Sequence, residues 1–480
     1  GLERGGWSQN YTVGYREMGG YRDHSDMRRY NASGKWFYDF GNARLGAILR
    51  HSYAEGDEAG FLTEADLEAD RRRSYAVSET DGSRRKLWQA SVHLDADLAP
   101  GLALSVKGYG NSIWDERLVR FSEAVAQQRR LADEKQWGVV SGLNWRANDW
   151  IVVEVGGDVQ WQDNKNARWT TERRRLIAQT RDQDFGLTVG GVYALAILTP
   201  TPWLTVTPAW RLDWAGGDYT DGLTGGTYRI NDYGTISQPK ISVAVEPLDG
   251  VTVYGNWGRT FQIGYGSATY VVPPRVRDVA PSRNNGWEAG VKFAPGRWLN
   301  LRAAVWKQVA SGELRARIND PAGEFDNLGR TRRHGVDLQV NVRPAEGVSA
   351  WASWSRQFAK IATPDPSRPD LAGNWIDHVP ESVFTAGLEY APATQPWRVS
   401  LWGNGQSSYE LTTDNNRGRY GDYLQVTAEA GWRLTPQIEA SVQVRNLLND
   451  RYAYVWYDGR ESLHATADPR TFAAALRVQL

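Results

Sequence analysis

Apolar and polar side chains alternate along this chain in runs of about ten residues or more, and the pattern returns through most of its 480 residues. Residues 150–161 put Ile151, Val153, Val155, Val159 and Trp161 on one phase, with Glu154, Asp158 and Gln160 on the other. Leu204, Val206, Trp210, Leu212 and Trp214 oppose Arg211 and Asp213, and Trp287, Ala289, Val291 and Phe293 oppose Glu288 and Lys292. Residues 185–195 alternate through Leu187, Val189, Tyr193 and Leu195. The tail 471–480 places Phe472, Ala474, Leu476, Val478 and Leu480 on one side and Thr471, Arg477 and Gln479 on the other. A period of two is the signature of a strand with one apolar and one wettable face. Soluble strands average about five or six residues, whereas tilted strands that cross a bilayer need about nine to eleven.

Tight turns separate these runs at one end and long polar excursions at the other. The short connections are Gly41-Asn42, Ala99-Pro100-Gly101, Ala147-Asn148-Asp149, 199–202, Leu248-Asp249-Gly250, Pro295-Gly296-Arg297, 343–347, 391–396 and Thr435-Pro436-Gln437, built from the residues that turns require. The excursions are 54–85, 116–134, 162–182, 215–234, 262–284, 311–327, 357–377, 406–420 and 456–469. Residues 116–134 and 63–73 are rich in helix formers and predict helical loops. The expected fold is all-β: a transmembrane antiparallel up-and-down β-barrel over residues 1–480, of about 20–22 strands, with short periplasmic turns, long extracellular loops and the tail as closing strand. A lumen that wide cannot be filled by side chains, so a plug is needed to prevent leakage.

Trp 23 and Tyr 22 against Phe 11 and Met 2 suit the boundary between an apolar layer and water better than a soluble core. A mean hydropathy of −0.56 and the lack of a long apolar run exclude a helical membrane protein. Equal totals of basic and acidic residues give no argument for nucleic acid, and the absence of Cys excludes disulfides and thiolate metal sites. The opening GLERGGWSQN has neither Met nor an apolar signal, as in a mature or trimmed sequence.

Several segments resemble one family, the TonB-dependent outer-membrane receptors. VRNLLNDRYAYVWYDG (444–459) followed by DPRTFAAALRVQL (468–480) is similar to that family's final strand pair. VYGNWGRTFQIG (253–264) with NNGWEAGVKF (284–293) resembles a mid-barrel pair, and NLGRTRRHGVDLQV (327–340), HVPESVFTAGLEY (378–390) and GYRDHS (20–25) resemble further elements in the family's order. Leu480 stands where the family usually has an aromatic, which implies an unusual but still apolar assembly signal. The family's N-terminal plug and TonB-contacting box have no counterpart in these residues. The resemblance therefore implies the barrel half of a transporter in the bacterial outer membrane. It would be surrounded by lipid and lipopolysaccharide and coupled to the TonB complex only through a missing or separately encoded plug. The implied cargo is a ferric siderophore, ahead of a vitamin, haem or an oligosaccharide. No cofactor is implied, since iron enters only inside the bound chelate, and no nucleic-acid partner.

Catalytic signals are weak. Six His show no metal-ligand spacing, Gly264-x-Gly266 opens no helix, and the Asp414-Asn415-Asn416 run reads as solvated loop before calcium site. The chain is therefore not expected to be an enzyme. Arginine clusters at 71–73, 129–130, 173–175, 275 with 277, and 330 with 332–333 suit carboxylate, phosphate or catecholate oxygens, though each also fits lipopolysaccharide contact or solvated surface. Trp161 and Trp214 fit an outer aromatic girdle, and Trp114 fits either that girdle or stacking on a flat chelate or sugar. The ligand candidates are Arg174, Arg175, Tyr265, Tyr270, Arg275, Arg277, Arg332, Arg333, Tyr409 and Trp456. A passive porin is the second reading, and a soluble carbohydrate-binding or hydrolytic β-protein the third.

Overall fold

The computed structural model describes residues 1–264, 266–272, 278–319 and 325–479. Consecutive strands pair antiparallel into one 22-stranded sheet. Two of its members, Leu2–Arg4 and Gly226–Arg229, are stubs of 3 and 4 residues. The other twenty form the wall, from the 8 residues of Thr471–Val478 to the 27 of Arg175–Thr201. No helix among the described residues is long and apolar enough to cross a membrane. Every anticipated tight turn joins two wall strands.

The two faces of the wall separate by chemistry. Outward lie Trp137 and Trp161, opposite one another in the ladder, with Val155, Trp210, Trp214, Trp257 and Trp287, all exposed apolar groups. Inward lie charges that pair across strands. Arg211 bridges Asp158 and Asp213 at 2.7 Å each, Arg302 meets Glu288 at 2.6 Å, and Arg398 joins Glu429 and Glu439. Trp161 and Trp214 thus sit on the lipid-facing side, as the girdle reading requires.

One strand reverses the expected apolar phase. In Arg175–Thr201, Tyr193 lies opposite Gly156 and Arg211 and donates its hydroxyl to Glu154 at 2.7 Å. Those contacts fix the register, so Leu187, Val189, Tyr193 and Leu195 face the lumen, and Val192, 50% exposed, faces out. A one-residue change of phase exchanges the faces, and here cross-strand polar bonds set it.

Two of the excursions are strand rather than loop. Residues 116–134 are not helical: Leu102–Val119 and Gln127–Asn148 run through them, joined by 120–126. Their helix propensity, a few tenths of a kcal/mol per residue (about 0.7 at most), yields to ladder pairing that links each strand to neighbours on both sides. Residues 162–182 form a tall hairpin, Ile151–Glu172 with Arg175–Thr201, that turns on Arg173 and Arg174. The helix expected in 63–73 is present as Glu64–Ala69, where Thr63 Oγ1 accepts from the Asp66 amide at 3.2 Å.

Thr471–Val478 ends the wall as expected, pairing with Ile438–Arg445. Among the described residues no ladder joins its other edge to Leu2–Arg4 or Trp7–Met18, so its role as the closing strand is not seen; Leu480 lies outside them. All eight residues of this strand are exposed, Phe472 at 74%. Above the membrane the loops bridge that line. Leu62–Thr63, from the loop after Ala43–Asp57, pairs with Ser462–Thr466 from the last loop, which pairs in turn with Ala453–Tyr457. Arg71 Nη2 also donates to the Ala467 carbonyl at 3.1 Å.

Candidate functional site

The long loops fold over the open end of the wall around small cores of their own. Phe61, Phe121 and Trp456 meet edge-to-face or stacked with Val119 and Leu463, drawing together three loops. Leu328, Ala359, Ile361, Leu371 and Ile376 make a second core, and Phe185, Tyr219 and Tyr270 a third. Burying aromatic rings at about 25 cal/mol per Å² is what holds polar loops in one shape.

A polar hub locks four loops together. Asp377 Oδ1 accepts from Arg315 Nη1 at 2.6 Å and from Thr413 Oγ1 at 2.8 Å, while Oδ2 lies 2.7 Å from His378 Nδ1. His378 Nε2–H donates to the Val455 carbonyl at 2.9 Å, and the His378 amide donates to Glu410 O at 3.0 Å. His378 adopts φ 58, a left-handed conformation costly for a residue with a Cβ. Burial works against ionisation of Asp377, but the His378 hydrogen bond, the nearby positive charges and Thr413 outweigh it and hold its carboxyl below the usual range. Glu313 is handled the same way: burial opposes its charge, and Arg333, at 2.6 Å, with Thr331 lowers its pKa.

Beside this hub lies a cavity of about 690 Å³, walled by Arg315, Arg317, Arg368, Thr412, Trp456 and Tyr457 among others. Trp456 is 2% exposed, and its Nε1, like Thr412 Oγ1, is buried without a hydrogen-bond partner among the described residues. The arginines of this wall are engaged as well as its acids: Arg315 is held by Asp377, and Arg368 by Asp370 at 2.9 Å.

The predicted residues scatter around the mouth. Trp456 lines this cavity, and Tyr409 packs buried against the His378 ring at 4.9 Å, just behind it. Tyr270 is 2% exposed, inside the third core, with its hydroxyl donating to Gly186 O at 3.0 Å; burial raises its pKa. Arg333 is paired with Glu313, and Arg332 points from the outer face of the wall. Arg174 Nε donates to Thr80 O at 2.9 Å, and Arg175 meets Glu172 at 3.1 Å. Tyr265, Arg275 and Arg277 lie outside the described residues. Arg315, Arg317, Arg368 and Thr412 went unremarked in the sequence. They are spread over three loops, 311–327, 357–377 and 406–420, and only the packing of those loops brings them to one cavity.

A family model described as TonB dependent receptor-like, beta-barrel, matches residues 7–447. Among solved structures, the ferric citrate transporter FecA in its unliganded form is similar with TM-score 0.85 and 19% identity, over 100% of this chain and 74% of that one. The ferric yersiniabactin uptake receptor FyuA from Yersinia pestis matches with TM-score 0.80 and 15% identity, over 100% and 76%. The ferric-catecholate import receptor Fiu from K12 E. coli matches with TM-score 0.79 and 15% identity, over 98% and 77%. At such identities the likeness is one of fold.

Proposed function

The chain belongs to the TonB-dependent receptor-like β-barrel family of outer-membrane transporters, and on that footing we propose that it takes up a ferric siderophore. The observation that carries this reading is a donor-lined cavity of about 690 Å³, built by loops at one end of a wall too wide for side chains to seal. Concave sites with a few convergent polar groups are where small ligands bind. Structural neighbours that are receptors or transporters for ferric citrate, ferric yersiniabactin and a ferric catecholate support the same class of cargo. Such a barrel is a conduit rather than an enzyme: it binds and passes its cargo without breaking a bond in it. Iron arrives and leaves within its chelate, so no resident metal is required. Energy coupling would run from the TonB complex through a plug domain outside residues 1–480, and lipid with lipopolysaccharide would surround the wall.

The test is accumulation of radioactive iron, supplied as a siderophore chelate, in cells with and without this gene. Uptake that needs the gene and stops when a protonophore collapses the inner-membrane gradient is the expected result. Accumulation that ignores the gene contradicts the reading.

A further inference from the structure

We propose that the outer wall carries a binding site for the phosphorylated sugar headgroup of lipopolysaccharide. It lies on the strands Val251–Gln262, Ser282–Gly296, Leu299–Ser311, Arg330–Ala345 and Val348–Thr363. Arg259, Arg283, Lys307, Arg332, Arg356 and Lys360 all fall on the outward phase of these strands. Lys307 stands opposite outward Trp287, Arg332 opposite Lys360, and Arg356 opposite Val336, which is 38% exposed. The five strands hold two acids, Glu288 and Asp337, and both face the lumen, bound to Arg302 and Ser355. This sector of the wall is therefore cationic without a counter-charge of its own. The side chains of Arg283, Lys307 and Arg332 make no ion pair or hydrogen bond among the described residues. Arg259 gives one hydrogen bond to Asn285 Oδ1 at 2.9 Å, and Arg356 and Lys360 lie over the Phe358 and Trp375 rings. None of these contacts supplies a negative charge.

Height and pattern identify the partner. Trp257 and Trp287, paired in the ladder, mark the level where an apolar layer meets water. Arg259 and Arg283 stand two and four residues from them toward the loops. A cation facing lipid is costly at the bilayer midplane and well tolerated at the interface, where anionic headgroups lie. Like charges directly opposite, as at Arg332 and Lys360, destabilise a sheet, and an anion bound between them removes that cost. The other side of the wall behaves differently. At the loop end of the strands from Trp7–Met18 to Leu102–Val119, outward Glu17, Arg28, Glu55, Arg84 and Glu116 follow one another with alternating sign. Lys165 likewise sits 3.4 Å from Asp182 and 3.6 Å from Asp184. A solvated rim neutralises itself in that way and needs no external anion. The basic sector spans five strands, about 19 Å at the usual strand spacing, which is wider than the single phosphate of a phospholipid. A glycolipid headgroup bearing several phosphates fits that width, and guanidinium forks and ammonium groups both suit phosphate oxygens.

Native mass spectrometry of the detergent-folded chain tests the site, with bisphosphorylated lipid A, the same lipid stripped of phosphate, and phosphatidylglycerol as probes. Bisphosphorylated lipid A should bind at least about tenfold more tightly than either of the others. Lys307→Gln and Arg332→Gln remove exposed charges without touching the lumen. Each should weaken that binding about tenfold, the loss expected for one hydrogen bond to a charged group. Arg84→Gln, in the sector of alternating sign, should leave it unchanged. Heat-modifiable gel migration reports whether each variant is folded, and should one not fold, the three lipids compared on the unaltered chain decide. Equal binding of the phosphate-free lipid or of phosphatidylglycerol, undiminished binding in both folded variants, an equal loss in Arg84→Gln, or no binding at all overturns the inference. The uptake reading stands in every case, since it rests on the loop cavity and not on the outer wall.

Discussion

Two arginines occupy backbone positions that a two-residue hairpin turn ordinarily gives to Asn-Gly. Arg173 and Arg174 have φ of 46 and 71, a left-handed pair costing about 1 kcal/mol or more per residue. Both side chains are anchored: Arg173 pairs with Glu79, and Arg174 donates to Thr80 O. In the sequence the run 173–175 suggests ligand contact, because a run of like charges is visible while its anchors lie far off in the chain. Gly217 shows the opposite case, a residue with no alternative. Its φ is 148, and a Cβ there would sit 2.1 Å from the Gly186 carbonyl oxygen. Gly217→Ala is expected to destabilise the wall by about 3 kcal/mol, seen as a lower urea midpoint for loss of the heat-modifiable band.

The strand Arg175–Thr201 is where alternation misleads. A period of two divides a strand into faces without saying which one meets lipid. That choice is made by Glu154, Asp158 and Arg211 on neighbouring strands. Val192→Arg should therefore cost about 2–4 kcal/mol near the bilayer midplane, while Val189→Arg, three residues away on the lumen face, should cost far less. Unfolding in lipid vesicles compares the two. Among the loops, the strand pair joining Leu62–Thr63 to Ser462–Thr466 contains buried His464, whose pKa burial lowers. The folded loop then takes a proton less readily than the unfolded chain. Its stability is complete above about pH 6.5 and declines as pH falls toward the lowered value. Amide exchange in 462–466, corrected for intrinsic rates, should rise between about pH 7.5 and about pH 5.5, and His464→Gln should remove that dependence.

The molecule as a whole was the most legible level. Turn residues at regular intervals and runs long enough for a membrane gave the up-and-down wall and its twenty long strands. The mouth was not, because loop shape comes from contacts such as Phe61 with Trp456, whose residues are far apart in the chain. The line beside Thr471–Val478 follows from pairing rather than pattern. Unpaired edge groups exchange readily, so the amides of this strand should exchange faster than those of Ile151–Glu172, which is paired on both sides. With no plug domain among the described residues, residues 1–480 reconstituted alone in a planar bilayer should pass a large, steady current. The account rests above all on a wall whose alternate side chains meet lipid, and a nitroxide scan of 187–195 in bilayers tests that most directly. Labels at 188, 190, 192 and 194 should be open to oxygen and shielded from a water-soluble nickel relaxant, and those at 187, 189, 191, 193 and 195 the reverse. Accessibility to both reagents without a period of two would contradict it.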